Sequence, residues 1–365
     1  MSEPKETLNP VTAFYSYEKL LEIADEKIIT ETPTKAFDFL IKAKELNPNP
    51  DYRYYNILGR AHWKLGQKQD AVEAYKQSIQ LNSEQTDLML YVADYYDGIR
   101  KPVLALEFTE LYLTKNPNAK YRLYTAGLLS RRIGNESKYE SYMNLLESDK
   151  SFESEKDALQ TTLSKHLKNR KWKEAEELTL RYIPYFPREE TMYETLLLAR
   201  RGGSFPTLEE AYIWVCTIFK KETRYFVRYG VFLQEEGRYL ESLASFRRAY
   251  FNVLKYEPES DPFEILFLIR QSYANLGRDR DTLAIDQLVK DKKNSKKLNA
   301  NLVENHLNTY RKNREYLLFA VHWFLVNDPN RVGEFRKRLD ERDTEFEELE
   351  LLNVIGPFSL EPMLL

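Results

Sequence analysis

"AHWKLGQKQDAVEAYKQSIQLN" occupies residues 61–82. Gly66 separates two stretches of helical composition. After it, Ala71, Tyr75 and Ser78 follow at steps of four and three, so they share one helical face. The stretch reads as helix, turn, helix, and the chain around it repeats the pattern. At steps of 34 residues, Gly59 is followed by Ala93 and Gly127, Gly66 by Arg100 and Gly134, and Ala71 by Ala105 and Tyr139. Ser83 is followed by Pro117 at the same step. A fixed period of this length, with small residues at fixed offsets, marks an array of stacked supersecondary units.

These residues resemble the tetratricopeptide repeat, a helix–turn–helix unit of about 34 residues. Tyr55, Leu58, Gly59, Gly66, Ala71, Tyr75 and Ser78 stand where that pattern has its aromatic, Leu-Gly, turn glycine, Ala, second aromatic and small residue. The match departs at Ser83, where the pattern has Pro. Small residues at the eighth and twentieth positions let the two helices of a unit approach closely. A proline near the unit's end stops the second helix. The same frame continues on both sides of this unit. Ala36, Leu40, Ala43 and Pro48 precede it. Trp172, Ala175, Tyr182 and Pro187 follow, then Ala199 and Ala211 around an enlarged "RRGGSFP" turn, and then Gly230, Gly237, Phe246 and Ala249. Tyr273 and Gly277, then a unit ending at Pro329, close the series.

The expected fold is all-α: a right-handed superhelix (α-solenoid) of about nine such hairpins with a C-terminal capping helix. The expected organisation is an N-terminal tail at 1–13 and about seven repeats over 14–254. A Pro-bounded connector at 255–262, two degenerate repeats over 263–330, a capping helix at 331–353 and an apolar tail at 354–365 complete it. In the capping helix, Val332, Phe335, Leu339, Phe346 and Leu349 share one face while the others are charged, as the open end of an array requires.

Composition narrows the function classes. The chain has 365 residues, 30% charged and 42% hydrophobic, as a folded repeat array would. A net charge of −3 supplies no field to hold nucleic acid or an anionic membrane, so neither is expected as a partner. The single cysteine, Cys216, allows no internal disulfide and no cysteine-based metal site. "MSEPKETLNP" has no apolar core, and the apolar run from Tyr316 to Val326 is too short to span a bilayer. A cytoplasmic location is therefore expected, and the Asn135-Glu136-Ser137 sequon is expected to be idle.

No catalytic, cofactor or metal residues are assigned. His62, His166, His306 and His322 have no metalloprotease-type spacing, and His62 and His166 fall where the family places an inward-facing residue at the core edge. Gly202-Gly203 lacks the G-K-[ST] that a phosphate loop requires and reads as an inter-helix turn. Cys216, beside Trp214 and Ile218, reads as a buried structural thiol. "KDKKNSKKLNAN" (290–301) is a basic polar loop without interleaved aromatics. No enzyme is expected.

What the resemblance implies is a surface. In the family, the first helix of each unit lines a concave groove. Carried over, this places Arg53, Asn56, Arg60, Trp63 and Lys64 in that groove from the second unit and Tyr121, Tyr124, Leu128, Arg131 and Arg132 from the fourth. The fifth offers Lys168 with Asp157, Gln160, Ser164 and Leu167, and the sixth offers Tyr193, Leu196 and Arg200; the third interrupts with Asp87, Asp94 and Asp97. Such a band suits an extended peptide or protein segment, and an acidic one in particular. The implied function is a protein–protein interaction scaffold or adaptor that needs no cofactor. Two alternatives stay open: a structural subunit of a motility, secretion or envelope machine that uses the convex face or edges, and a regulator of nucleic acid or an enzyme. Self-association is also open, as is docking of the tail in cis or trans.

Overall fold

The computed structural model describes residues 15–30, 33–257, 259–310 and 313–331. The capping helix expected at 331–353 and the apolar tail at 354–365 lie outside them, apart from Arg331. Among the described residues there are eighteen α-helices and no strand. They are α1 (Tyr17–Thr30), α2 (Thr34–Leu46), α3 (Tyr52–Lys64), α4 (Lys68–Leu81), α5 (Thr86–Gly98) and α6 (Pro102–Lys115). Next come α7 (Lys120–Arg132), α8 (Glu136–Glu147), α9 (Lys156–Lys168), α10 (Trp172–Tyr182), α11 (Glu190–Gly202) and α12 (Leu208–Ile218). The last six are α13 (Thr223–Glu235), α14 (Tyr239–Tyr256), α15 (Phe263–Asn275), α16 (Asp279–Lys293), α17 (Ala300–Thr309) and α18 (Arg314–Asn327). Consecutive helices pair into nine hairpins. The chain divides into two compact units, Met1–Arg122 and Leu123–Leu365.

One backbone device closes seven of the hairpins. Gly66, Gly134, Gly237 and Gly277 have φ between 66° and 81°, in the left-handed region that costs an L-residue steric strain. At Gly66 the amide donates to Trp63 O (3.0 Å) and the next amide, Gln67, reaches back to His62 O (3.0 Å), which satisfies two carbonyls at the end of α3. Arg100, Arg170 and Ser204 occupy the same place in α5/α6, α9/α10 and α11/α12, with φ of 58°, 56° and 52° and the same pair of hydrogen bonds. The turn thus survives where the glycine does not. Arg100→Gly, Arg170→Gly and Ser204→Gly are each expected to stabilise the full chain by about 0.5–1 kcal/mol, the relief of left-handed strain less the added unfolded-state entropy. Denaturant unfolding of the three variants measures it.

Close approach of paired helices is the second device. A Cβ at Gly59 would lie 2.4 Å from the Tyr75 ring, and one at Gly230 2.4 Å from the Phe246 ring. The ring stands sixteen residues downstream of the glycine in both hairpins. In the first unit, α3 lies against α1 and α2. Tyr54, Ile57 and Ala61 bury themselves on Leu20, Ala24, Ile28, Leu40 and Ala43. Side chains fix some of the helix starts: Asp51 caps α3, and Asn135, Asn299 and Asn313 cap α8, α17 and α18.

Among the described residues of the second unit α14 is the longest helix, at 18 residues, and contributes Phe246, Ala249, Tyr250 and Phe251 to the core. It runs to Tyr256, two residues into the expected connector, and α15 begins at Phe263.

Candidate functional site

The face carried by the first helices of the first unit holds the exposed candidates. Arg53, Arg60 and Lys64 recur at steps of seven and four along α3 and so share a stripe. Arg53 turns back on its own helix cap, with Nε 2.8 Å and Nη2 2.6 Å from Asp51 Oδ2. Arg60 crosses to α1 and pairs with Asp25 at 2.6 Å. Arg122, at the start of α7, pairs with Asp94 of α5 at 2.6 Å. Asn56 is committed: its Nδ2 donates to Gln85 and its Oδ1 accepts from Ser78 Oγ at 3.1 Å. Trp63 is half-buried, edge-on to Tyr91 of α5 at 5.7 Å, with the Lys68 ammonium 5.8 Å from its ring. Tyr91 is 50% exposed, and Lys64 and Tyr121 are exposed. The arginines of this face are therefore paired, and the Trp63–Tyr91 pair is an accessible apolar element on it.

In the second unit, three candidates on α7 face inward. Tyr124 is fully buried; its hydroxyl lies 3.1 Å from that of Tyr193, and its ring is edge-on to Trp214. Arg132 is buried as well. Arg131 donates to Thr217 O (3.2 Å) and Ile218 O (2.9 Å), the last carbonyls of α12, pairs with Glu136 at 2.6 Å and lies 3.8 Å over the Tyr139 ring. A helix C-terminus carries unsatisfied carbonyls and partial negative charge, which a guanidinium answers. The end of α12 thus takes up the face of α7 expected to line the groove.

Arg200 is displaced by a register shift. Reading Ala199 as the eighth position places Arg200 on the exposed face, the place Arg60 has in α3. The left-handed turn residue is Ser204, and Arg200 O accepts from Phe205 N (2.9 Å) just as His62 O accepts from Gln67 N. Arg200 is therefore the counterpart of His62. The two additional residues of the enlarged turn follow the turn residue: Ala71 stands five after Gly66, whereas Ala211 stands seven after Ser204. Arg200 is 2% exposed, bound to Glu176 (2.7 Å), Glu210 (2.9 Å) and Thr207 O (2.7 Å) beside Trp214. Tyr193 and Leu196 are buried with it.

In the corrected register, Thr191, Glu194, Leu198 and Arg201 occupy the outward positions of α11. Leu198 is 49% exposed, and Arg201 and Thr191 are exposed. Glu194 takes Arg228 of α13 at 2.7 Å, Glu190 takes Arg224, and Arg201 approaches Glu235 at 3.9 Å. Locating Ser204 as the turn would have found these residues. Lys168 is exposed at the end of α9.

The remaining candidates are quiet. Cys216 is fully buried, which pushes its thiol well above the ordinary range. His62 is half-buried, edge-on to Phe37 at 4.9 Å, with Nδ1 2.7 Å from Gln67 Oε1. His306 Nδ1 sits 2.8 Å from Asp291 Oδ2. Burial, and then the nearby Lys292 charge, lowers the pKa of His322. Among the described residues no three His, Cys, Asp or Glu side chains gather as metal ligands. None of the described helices is long and apolar enough to cross a membrane.

A tetratricopeptide-repeat family model matches residues 52–85, the α3/α4 hairpin. No curated protein matches the chain. Among solved structures, a tetratricopeptide repeat protein from Parabacteroides merdae ATCC 43184 is 19% identical, covering 70% of this chain and 98% of its own, with a TM-score of 0.35. MamA protein is 24% identical over 39% of this chain and 74% of its own (TM-score 0.30). The TPR2AB-domain:pHSP90-complex of yeast Sti1 is 14% identical over 70% and 98% (TM-score 0.29).

Proposed function

The chain carries the tetratricopeptide repeat, and from that premise we propose that it is an adaptor binding a polypeptide segment on the first-helix face of its first unit. The observation that carries this reading is the Trp63–Tyr91 pair. It is a half-buried indole against a half-exposed phenol, flanked by Lys64 and Lys68. Aromatic anchors of this kind dominate binding energy where a partner can cover them. The lysines favour a segment with an acidic group beside its apolar residue. Arg53 and Arg60 lie on the same helix in half-exposed ion pairs, and Arg53, the more open of the two, is the one a partner's carboxylate would engage at least cost. Tyr121 extends the set of accessible candidates in this unit, and Lys168 is accessible by itself in the second. The reading includes a cytoplasmic setting, which a single buried, unbridged cysteine suits.

Affinity capture with the full chain tests it. The double variant Trp63→Ala/Tyr91→Ala is expected to reduce recovery of the parent's partners about tenfold or more, the loss of a hot-spot anchor. Its helical circular dichroism should match the parent's. Undiminished capture by a folded variant overturns the reading.

A further inference from the structure

The opposite face of α3 carries a second, differently built site. Tyr55, Leu58 and His62 follow at steps of three and four, half a turn away from the stripe of Arg53, Arg60 and Lys64. Two adjoining hollows flank this stripe and share Leu58 and His62 as a common wall. The one between α2 and α3 has a volume of about 530 Å³, is walled by Phe37 and Ile41, and has the opposite charges of Lys44 and Glu45 on its lining. The one between α3 and α4 has about 320 Å³ and is edged by Asp70 and Glu73.

The two hollows differ in chemistry. Ile41 is 58% exposed and Phe37 is half-buried, so the first hollow has an apolar wall open to water. Phe37 stands edge-on to the His62 ring, which is held at Nδ1 by Gln67. In the second hollow Glu73 is engaged by Lys76 at 3.0 Å. Asp70, on the first turn of α4, is exposed and has no ion-pair partner among the described residues. An apolar pocket adjoining a carboxylate with no counter-ion is complementary to a segment of opposite pattern: one bulky aliphatic or aromatic side chain close to a lysine or arginine.

We propose that the α2–α3–α4 crevice is a docking site for a short basic–apolar peptide segment, with the apolar side chain between Phe37, Ile41 and Leu58 and the cation at Asp70. This occupant differs in charge from the one suited to the Trp63 face, so one unit would hold two distinct segments on its two sides.

Panning a random nonapeptide display library on the full chain, then measuring the enriched peptide by fluorescence anisotropy, tests the proposal. Enriched sequences should place Leu, Ile, Met or Phe within three residues of Lys or Arg. Ile41→Glu and Asp70→Lys should each weaken the enriched peptide about tenfold or more, from loss of the apolar contact and reversal of the charge contact. Both positions are exposed, so melting temperatures should stay within a few degrees of the parent. Trp63→Ala should leave the affinity unchanged. Absence of enrichment, enrichment of acidic peptides, insensitivity to either crevice substitution, or a response to Trp63→Ala instead would each overturn it.

Discussion

Replacing Glu315 by Gln is expected to destabilise the second unit by about 3–5 kcal/mol, because it leaves a buried guanidinium without its counter-charge. Glu315 stands in the first turn of α18 and is 0% exposed; Arg247, on α14, is 2% exposed. Arg247 Nε donates to Glu315 Oε1, its Nη2 donates to Tyr273 Oη (2.7 Å), and Tyr273 Oη donates to Glu315 Oε2 (2.7 Å). Three side chains from α14, α15 and α18 thus close a ring across 68 residues of chain. The attraction largely offsets the cost of taking both charges out of water, so the pair's net contribution is far smaller than the cost of breaking it. The double variant Arg247→Met/Glu315→Leu is accordingly expected to recover most of the loss. Denaturant unfolding of the two variants against the parent decides it, and a single variant within 1 kcal/mol of the parent would refute the account.

The same pair sets a pH dependence. Burial acts to raise the Glu315 pKa, but the Arg247 charge and the hydrogen bonds from Arg247 and Tyr273 outweigh it and hold the carboxyl below the ordinary value. A depressed folded-state pKa means that the unfolded chain binds the proton more readily. The contribution is therefore complete above the ordinary glutamate value of about 4.3 and is lost as the pH falls through the lower folded-state value. The stability difference between parent and double variant should be flat from pH 5 to 8 and turn against the parent below about pH 4.

The second large effect is expected at Arg200. Arg200→Ala should cost about 3–5 kcal/mol, since it leaves Glu176 (17% exposed) without its counter-charge and the Thr207 carbonyl without the guanidinium donor, and opens space beside Trp214. Lys64→Ala on α3 should stay within about 0.5 kcal/mol, as exposed substitutions do. Thermal unfolding separates the two. A mild Arg200→Ala variant would return Arg200 to the exposed face assigned by its spacing from Ala199.

Arg200 and Arg60 together mark what was legible in the chain. Period, turn and close approach are local. Gly66 and Gly237 mark turns because only glycine takes that backbone without strain, and Gly59 and Gly230 mark the helix pairs because only a missing Cβ admits Tyr75 and Phe246. The count of about nine hairpins follows from those features. At Ser204 the turn is built without glycine, two residues of the enlarged turn fall after it, and the count along α11 slips. A slip of two residues rotates a helix by more than half a turn, enough to exchange an exposed face for a buried one.

The amino-acid sequence alone therefore determined that this protein is an all-α array of hairpins, because period and turn chemistry act within some 34 residues. Only the tertiary structure decided which arginines are available. That depends on what lies across from each: the terminal carbonyls of α12 for Arg131, Glu176 and Glu210 for Arg200, and a half-buried Asp25 on α1 for Arg60. Arg131 reaches a partner 87 residues away. A guanidinium's environment is set by such non-local neighbours, and the repeat position it occupies carries no record of them.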